Sequence, residues 1–588
     1  MVRLSLRRRE RGLVVDALLG LSRLVLAPLL LLAGVMAARA QEPSRAERDY
    51  AARAAALIAP YVEAGLFSGT ILVAQNGKPL FRRAFGPANR EWGIANTLDT
   101  HFRIGSLTKG FTAAAILKLA EAGRLDLADP VGRHVPGLPA AWEKVSLRDL
   151  LRHSSGIINF TALANYIPEI ARTEHGPREL VALTESEPLL FEPGARFEYS
   201  NTNYILLGMV IEAASGRPYA EYLREAILAP LGLKETGYDD ATALLPRRAS
   251  GYRRGQAQWR NATPMASSAT WAAGGLYATA DDLLTWTEAL VGGRLLSAAS
   301  LEQTFADEGR GYGLGWYVGR AHDRRLWSHG GSVFGFISSL DHYPDERLTV
   351  VILANTETAP VQKISRELAA LRFGIFDPPQ AIVLEDVILD RYVGSYRLGP
   401  RFFLTIAREG DHLTAQGTGQ AAFALLPESD RTFFSKVVDA RLTFETEPDG
   451  RPTGVILRQG GLDRLGPRID PEEAKRALAA PKPEHREVAI EPERLRAHAG
   501  RYMLAPGFAI SVTFADGRLY AQATGQARNP LYAEGPRTFF LKAVDAQITF
   551  TADAAGRTTG LVLHQNGLDT AARRIEPAET ARAAPRKR

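Results

Sequence analysis

A serine and a lysine three residues apart stand at the start of an apolar, alanine-rich stretch. The segment RIGSLTKGFTAAAILKLAEAG, residues 103–123, contains Ser106 and Lys109. Positions i and i+3 share one face of a helix, so the lysine amine can approach the serine hydroxyl. A serine hydroxyl is a weak nucleophile that needs a base within hydrogen-bond reach. The spacing therefore predicts nucleophilic catalysis by Ser106; in the alternative, Ser106 only caps a helix and Lys109 is solvated.

Two later segments carry polar groups that could complete such a site. FEPGARFEYSNTNY contains Tyr199 and Asn201 just before a predicted helix, where they could supply a proton-relay hydroxyl and an amide-binding side chain. LWSHGGSVFGF contains His329 and two glycines leading into a predicted strand. Glycine permits close approach of a substrate backbone, and the amide that follows can point at an oxyanion. Each segment alone also fits an ordinary helix cap or turn.

Taken in this order, the three segments resemble the motifs Ser-x-x-Lys, Tyr-x-Asn and Lys/His-x-Gly of the penicillin-recognising serine hydrolases. That family includes class C β-lactamases, D,D-peptidases, D-aminopeptidases and related esterases. The flanking text FRIGSLTKGFTAAAI, LRDLLRHSSGI and AAGGLYATADDLLTW resembles the same family, and the resemblance covers about residues 48–375. The Gly-x-Ser-x-Gly elbow of α/β-hydrolases does not occur in the chain.

The resemblance implies three catalytic residues. Ser106 would be the acylated nucleophile. Lys109 and Tyr199 would share proton transfer from Ser106 and to the leaving group. Either could be the general base, because a buried lysine can have a lowered pKa and a tyrosinate can be stabilised by lysine. This chemistry needs no metal or organic cofactor.

The resemblance also implies a set of substrate-binding groups. Asn201 would hold the substrate amide and Lys109, while His329 would support the substrate and the proton network. Gly331 would allow close approach of the substrate, and the backbone N–H groups of Ser106 and Ser332 would form the oxyanion hole.

The histidine that begins the third motif bears on the substrate. β-Lactamases usually carry lysine there, which offers a fixed positive charge to a carboxylate; histidine near neutral pH offers much less. We therefore expect a peptidase or esterase acting on D-amino-acid peptides, amides or small esters. The alternatives are a true β-lactamase or D,D-carboxypeptidase and, in another class, a non-enzymatic cell-wall ligand-binding or sensor protein. His153 in LLRHSSGI is expected in a structural turn.

The elements that would position these residues can also be predicted. An amphipathic helix ends at Gly65, and a hairpin follows whose two apolar runs are joined by Asn76-Gly77. The Ser106 helix stops at Gly123, and a strand pair flanks Asp345 to Arg347. Strands at both ends with helices between them predict an α/β (α+β) catalytic domain over residues 48–376, with an antiparallel sheet flanked by helices. The resemblance implies a β-lactamase/transpeptidase-like fold for it.

The rest of the chain is a tandem repeat with an offset of 106 residues. VGSYRLGP at 393–400 returns as AGRYMLAP at 499–506, and RTFFSKVVDA at 431–440 returns as RTFFLKAVDA at 537–546. Short apolar runs separated by turns predict two all-β, lipocalin-like barrels. The predicted domains are listed in chain order: barrel 388–470, linker 471–492, barrel 493–576 and a disordered basic tail 577–588. Either both barrels are structural modules, or one of them lends a loop to the active site.

Composition limits the cellular setting. The chain has 588 residues and no cysteine, which excludes disulfides and thiolate chemistry. Residues 1–40 hold seven arginines against Glu10 and Asp16, so the remainder is nearly neutral and gives no case for nucleic-acid binding. A basic start, an apolar run and Ala-Arg-Ala predict a signal peptide cleaved after Ala40, and a periplasmic or secreted protein. The alternative is an uncleaved membrane anchor.

Overall fold

The chain is described by a computed structural model over residues 44–163, 165–254, 258–459, 462–479, 485–505, 508–515, 517–523, 528–544, 546–565 and 568–575. The predicted signal peptide 1–40 and basic tail 577–588 lie outside the described residues. Within the ranges given, no helix has both the length and the apolarity that crossing a membrane requires.

A six-stranded antiparallel sheet forms the framework of the region before residue 376. Its strands are β1 (Gly69–Gln75), β2 (Lys78–Phe85), β3 (Tyr317–Ala321), β4 (Arg324–Val333), β5 (Phe336–Tyr343) and β6 (Leu348–Ala354). They lie in the order β3-β4-β5-β6-β1-β2. Strand β6, with the sequence LTVVILA, is buried at every position, as expected of a central strand covered on both faces. The turn between β1 and β2 has positive φ at Asn76 and Gly77, as the predicted hairpin requires.

Five long helices accompany the sheet. They are α1 (Arg45–Glu63), α2 (Thr108–Glu121), α3 (Asn201–Ser215), α4 (Ala280–Val291) and α5 (Val361–Arg372). Helix α5 packs on β5 and β6, and helix α4 packs on β1 and β6. Helices α2 and α3 pack on each other and are buried on nearly all sides. Left-handed Gly123 follows α2, and left-handed Gly216 ends α3, as is common at helix C-termini.

Short elements connect these helices and strands. The short helices are Leu147–Leu151, Pro177–Ala182, Tyr219–Leu223, Ala229–Leu231, Trp271–Gly274 and Ala298–Thr304. The short strands are Pro87–Asn89, Ile94–Ala95, Phe102–Arg103, Gly237–Tyr238, Tyr252–Arg254, Trp259–Asn261 and Leu276–Ala278. One continuous apolar core joins α2 and α3 to the sheet. The observed architecture confirms the predicted antiparallel sheet flanked by helices.

Two closed eight-stranded barrels follow, which confirms the predicted pair of all-β domains. The strands of the first, β7 to β14, are Gly394–Arg397, Phe403–Glu409, His412–Gly417, Phe423–Pro427, Thr432–Phe434, Arg441–Thr446, Pro452–Gln459 and Leu462–Ile469. The strands of the second, β15 to β22, are Gly500–Ala505, Phe508–Ala515, Arg518–Ala523, Asn529–Ala533, Thr538–Leu541, Ala546–Ala552, Thr558–Gln565 and Leu568–Ile575. Each barrel closes by pairing its first and last strands and has its own apolar core.

Short helices lie next to the barrels in the chain, and composition did not predict them. Helix α6 (Asp386–Tyr392) precedes the first barrel, α7 (Pro471–Ala479) follows it, and α8 (Pro492–Arg496) precedes the second. Helix α7 lies within the predicted linker 471–492. It is held to the first barrel because Arg401 donates to the Leu478 carbonyl at 2.8 Å and Arg397 pairs with Glu473.

Candidate active site

Ser106 lies in a 3-10 turn, Gly105–Leu107, directly before α2. The turn is fixed by Thr108, whose hydroxyl donates to the Gly105 carbonyl at 2.7 Å. Gly105 has φ of 51°, a left-handed conformation that glycine adopts without strain. Ser106 is not the cap of α2; that position belongs to Leu107. The serine side chain instead faces a cavity that Ser106 helps to line.

The Ser106 hydroxyl is contacted by the two predicted proton-transfer residues. Tyr199 Oη donates to Ser106 Oγ at 2.9 Å, and Lys109 Nζ lies 3.1 Å from the same oxygen. Lys109 is completely buried, and its amine also donates to Asn201 Oδ1 at 2.7 Å and to the Ala273 carbonyl at 2.8 Å. The structure therefore brings together all four polar groups that the first two motifs predicted, and adds the Ala273 carbonyl.

Removal from water shifts both proton-transfer groups toward their neutral forms. Burial lowers the pKa of the Lys109 amine well below its ordinary value of 10.5. Desolvation raises the pKa of Tyr199 well above 10, Tyr317 adds to that rise, and the hydrogen bond to Ser106 opposes it. Burial therefore favours the neutral amine of Lys109 and the protonated phenol of Tyr199 beside Ser106.

Asn201 is oriented by two residues that sequence reasoning did not find. Its Nδ2 donates to Thr161 Oγ1 at 2.9 Å, and the Thr161 hydroxyl in turn donates to Asn159 Oδ1 at 3.0 Å. Asn159 Oδ1 also accepts the Asn201 backbone N–H at 3.0 Å. These contacts direct the Asn201 carbonyl oxygen toward Lys109. Asn159 and Thr161 lie in NFTALANY, which has no distinctive spacing.

Strand β4 passes directly beside the Ser106 turn. A Cβ atom at Gly331 would come within 1.9 Å of the Ile104 carbonyl oxygen, and one at Gly105 would come within 2.7 Å of the Ser332 nitrogen. Glycine at both positions is what allows this approach. Ser338 of β5 ties the two segments together by donating to the Ile104 carbonyl at 2.9 Å. Ser332 lines the cavity and is exposed.

His329 lies inside β4, whereas the sequence placed it ahead of a strand. Its exposed fraction is only 4%, and it is not among the described residues that line the cavity. Nδ1 lies 2.6 Å from the Gly330 carbonyl, which can only accept, so this nitrogen carries the proton. Nε2 then accepts from Tyr312 Oη at 3.0 Å. Burial lowers the pKa of His329 to about 3, so the imidazole is neutral.

His153 is enclosed behind Tyr199. Its backbone is left-handed with φ of 56°, and its side chain is completely buried. Nδ1 accepts the Ser200 backbone N–H at 3.1 Å, and the imidazole ring centre lies 4.2 Å from that of Tyr199. Burial lowers the pKa of His153 well below 6.5. The residue occupies a turn, and its ring contacts that of Tyr199.

The cavity beside Ser106 has a volume of about 140 Å³. Its described lining combines the hydroxyl and amide groups of Ser106, Thr161 and Asn201 with apolar side chains such as Met265 and Phe334. Among the residues that the structure describes, no cluster of three or more His, Cys, Asp and Glu side chains could hold a metal ion. The arrangement can activate a serine hydroxyl and receive a small acyl group.

Two protein families match the chain. The sequence pattern of the family described as Beta-lactamase matches residues 54–373, and a domain of unknown function, DUF3471, matches 379–477 and 484–579. Among curated proteins, penicillin-binding protein 4* of Bacillus subtilis (strain 168) is 28% identical over 428 residues. That alignment covers 67% of this chain and 93% of the relative.

Solved structures show the same relationship. The octameric penicillin-binding protein homologue from Pyrococcus abyssi has a TM-score of 0.52 and 26% identity, and the match covers 70% of this chain and 98% of that one. The D-amino acid amidase from Ochrobactrum anthropi SV3, in complex with L-phenylalanine amide, has a TM-score of 0.50 and 24% identity. It covers 55% of this chain and 99% of its own, and at that identity it indicates the fold alone.

Proposed function

Because this chain belongs to the beta-lactamase family and is a serine hydrolase, we propose that it forms an acyl-enzyme on Ser106 and cleaves amide or ester bonds. The substrates are D-amino-acid peptides or amides, or small esters. One observation carries the proposal: Ser106 Oγ lies 2.9 Å from a tyrosine hydroxyl and 3.1 Å from a buried lysine amine, at the wall of a cavity. That is the arrangement of an activated nucleophile.

Lys109 is the general base of this proposal. A neutral amine has two N–H groups and one lone pair. The two N–H groups go to Asn201 Oδ1 and the Ala273 carbonyl, which can only accept and lie closer to Nζ than Ser106 does. The lone pair then faces Ser106 Oγ and can take its proton. Tyr199 is already a donor to Ser106, and its raised pKa opposes a tyrosinate base.

The reaction follows from these positions. Ser106 Oγ gives its proton to Lys109 and attacks the substrate carbonyl, and the oxyanion is held by the N–H groups of Ser106 and Ser332. The bond to the leaving group breaks as Tyr199 donates a proton to it. Lys109 then reprotonates Tyr199, since both groups lie at hydrogen-bond distance from Ser106 Oγ. A water molecule then gives a proton to Lys109 and attacks the acyl carbonyl, the bond from the acyl carbon to Ser106 Oγ breaks, and Lys109 returns the proton to Ser106 Oγ.

Asn201 and His329 take supporting roles in the proposal. The Asn201 carbonyl oxygen fixes the Lys109 amine, and its Nδ2 is held by Thr161 at the edge of the cavity. The neutral His329 forms hydrogen bonds with Tyr312 and the Gly330 carbonyl, and it offers no charge to the substrate. A lysine-like interaction with a substrate carboxylate is therefore not part of the proposed mechanism.

The remaining parts of the proposal concern location and the alternatives. The order of charged, apolar and small residues in 1–40 supports export with cleavage after Ala40, to the periplasm or outside the cell. Because these relatives are named as penicillin-binding proteins, β-lactamase or D,D-carboxypeptidase activity is the competing assignment for this chain. A purely ligand-binding protein would have no need of the Ser106, Lys109 and Tyr199 contacts.

Trapping the acyl-enzyme tests the proposal. Brief mixing with an activated ester, acid quenching and intact-mass measurement should show one added acyl group. Peptide mapping should then place that group on Ser106, and the Ser106→Ala protein should stay unmodified. Acylation of another residue, or equal labelling of Ser106→Ala, would remove Ser106 from the mechanism.

A further inference from the structure

Apolar and aromatic side chains form part of the wall of the cavity beside Ser106. Tyr166, Met265, Val333 and Phe334 supply this apolar wall, and Tyr166 is itself 7% exposed. A cavity of about 150 Å³ lined by apolar groups is known to accommodate benzene, and the volume here is about 140 Å³. The space beside the nucleophile therefore matches an aryl ring or a short branched chain.

The described residues that line the cavity carry no charged side chain. Lys109 is completely buried, and its amine donates to Asn201 Oδ1 and to the Ala273 carbonyl. His329, at the position where the family resemblance expects a cation, has both ring nitrogens occupied by Gly330 and Tyr312. A substrate carboxylate would meet no free cation at this wall, and a substrate ammonium would meet no carboxylate.

The ion pairs of the neighbouring smaller cavity add no unpaired charge to the lining of the cavity beside Ser106. Arg103 lines that cavity, and its Nε donates to Asp239 at 2.5 Å. Asp239 is buried and also accepts from Arg248 at 3.0 Å and from Ser267 at 3.2 Å. Arg103 also donates to the Met265 backbone carbonyl at 3.4 Å, so its guanidinium lies beside the apolar wall but is paired with Asp239. Placing an unpaired charge against such a wall costs free energy, because its hydration is lost without a partner.

We propose that the substrate is uncharged on both sides of the scissile bond and presents an apolar acyl group of about phenyl size to the wall formed by Tyr166, Met265, Val333 and Phe334. The inference rests on the proposed serine hydrolase function and narrows it to neutral esters and amides. A site with this preference differs from one that binds the carboxylate of a β-lactam or a D,D-peptide. It also differs from a site that binds the α-ammonium group of a free amino-acid amide.

Matched substrates test the inference on the wild-type protein. The parent is the para-nitrophenyl ester of phenylpropionate, and the para-nitrophenyl ester of D-phenylalanine adds only an α-ammonium group. Assays run below the pKa of that amine. In the second pair the leaving group is either hydroxy-nitrobenzamide or hydroxy-nitrobenzoate. The second of these esters differs from the first only by a carboxylate in place of the neutral carboxamide. Each kcat/KM is divided by the uncatalysed rate of the same ester, because the added groups alter intrinsic reactivity.

We expect each charged ester to lose at least about tenfold in normalised kcat/KM against its neutral partner, which corresponds to about 1.4 kcal/mol. Equal or faster turnover of either charged ester, lost in Ser106→Ala, would overturn the inference and leave the proposed hydrolase intact. Absence of Ser106-dependent turnover for all four esters would instead remove the proposed function, and the inference with it.

A charge placed in the wall provides a second test. Met265→Glu introduces a carboxylate among the lining residues, and Met265→Leu keeps the wall apolar at similar volume. The glutamate variant should shift the ratio of D-phenylalanine to phenylpropionate ester turnover toward the cationic ester by at least about tenfold, while the leucine variant keeps the wild-type ratio. An unchanged ratio in Met265→Glu that still turns over the neutral ester would show that this wall does not contact the acyl group.

Discussion

Lys109 is enclosed on every side, and its amine meets two oxygen atoms that can only accept hydrogen bonds. Its catalytic use depends on remaining neutral there, because only the neutral amine has a lone pair for the Ser106 proton. Lys109→Met keeps the length and apolar stem of the side chain but removes the base. We expect kcat to fall by about 10²- to 10⁴-fold, the usual contribution of a general base. Single-turnover acylation by an activated ester measures it, and a change below a few-fold would contradict the assignment.

The lowered pKa of Lys109 also predicts how stability depends on pH. The unfolded chain binds a proton on this amine up to about 10.5, whereas the folded chain releases it at lower pH. Between the lowered pKa and 10.5 the unfolded state binds more protons, so stability rises with pH through this group. The free energy of unfolding of wild type minus that of Lys109→Met should therefore increase with pH in this window. Urea unfolding across the pH series measures it, and a flat or falling difference would mean that Lys109 is charged in the folded protein.

His153 supports the segment that carries Tyr199 and Asn201. Its Nδ1 accepts the Ser200 amide and its ring lies against Tyr199. His153→Asn retains an acceptor near the Nδ1 position and tolerates the left-handed backbone, whereas His153→Phe retains a ring but leaves the amide unpaired. We expect kcat to fall on the order of 10²-fold in the phenylalanine variant, since a displaced Tyr199 transfers protons poorly. The asparagine variant should keep most of kcat, with KM little changed in both.

Comparison of the two His153 variants separates positioning from general stability. Thermal unfolding of each protein provides the control, and kcat is measured well below both transitions. If only the asparagine variant loses kcat, the ring rather than the acceptor positions Tyr199, and if both variants lose it equally, the ring and the acceptor are both required. If neither loses it, the structural turn expected from the sequence is the whole role of His153.

At this scale the sequence predicts the residues that carry reactive groups and misses those that act through backbone or orientation. Ser106, Lys109, Tyr199 and Asn201 were identifiable because side-chain chemistry and spacing mark them. The role of the Ala273 carbonyl could not be recognised in the sequence, because every residue type has the same backbone oxygen. The burial of His329 was equally hidden, because it depends on Tyr312 and on the packing of a sheet.

Strand β4 and the Ser106 turn are the elements whose separation sets the oxyanion site. Their contact is close enough that a methyl group at Gly331 would meet the Ile104 carbonyl oxygen at 1.9 Å and the Ser338 hydroxyl at 2.4 Å. The pairing of β4 with β5 places Gly331 opposite Ser338, so the strand cannot rotate to relieve the collision without losing this register. The approach of β4 to the turn is therefore built into the sheet.

Gly331→Ala should separate β4 from the Ser106 turn and displace the Ser332 N–H. Loss of one oxyanion donor costs about 10²- to 10³-fold in kcat, and we expect a loss of that order. Gly319→Ala in β3 is the matched control, because no atom lies within 4 Å of the added methyl group. Steady-state kinetics with a neutral activated ester measure both. Wild-type kcat in a folded Gly331→Ala protein would rule out the proposed oxyanion site.

Elements with strong local signals were predictable, and those held by distant contacts were not. The Asn76-Gly77 hairpin and the helices that end before Gly123 and Gly216 follow from turn and cap chemistry. The β3 strand, YVGRA, has no apolar alternation, and it forms because β4 pairs with it. Helix α7 was read as linker since its sequence is highly charged, but its anchoring residues Arg397 and Arg401 lie in the first barrel.

The molecule as a whole joins one catalytic region to two copies of a barrel. The copies repeat their hydrogen bonds as well as their sequence. Tyr396 donates to the Tyr392 carbonyl at 2.8 Å, and Tyr502 donates to the His498 carbonyl at 2.7 Å. The offset of 106 residues therefore predicted the repeated architecture. Residue 382, ahead of the predicted barrel bound of 388, donates its N–H to the Pro427 carbonyl at 2.9 Å, and the family match begins at residue 379.

Removal of residues 379–588 tests whether the barrels take part in catalysis. Every residue of the proposed site comes from the region before 376, and this region has its own apolar core. We expect the shortened protein to fold and to keep kcat/KM for a neutral ester within about threefold. Circular dichroism provides the folding control. A folded fragment with a large loss of kcat/KM would show that a barrel lends a group to the cavity.

The central claim is that Ser106 carries the acyl group during turnover. The most direct measurement is the stopped-flow time course of activated-ester hydrolysis by residues 41–588, with Ser106→Ala measured under the same conditions. The predicted result is an initial burst of product, with an amplitude close to the enzyme concentration, followed by steady turnover, both absent in Ser106→Ala. Turnover that survives in Ser106→Ala would contradict the account, because the acyl group would then never have been on Ser106.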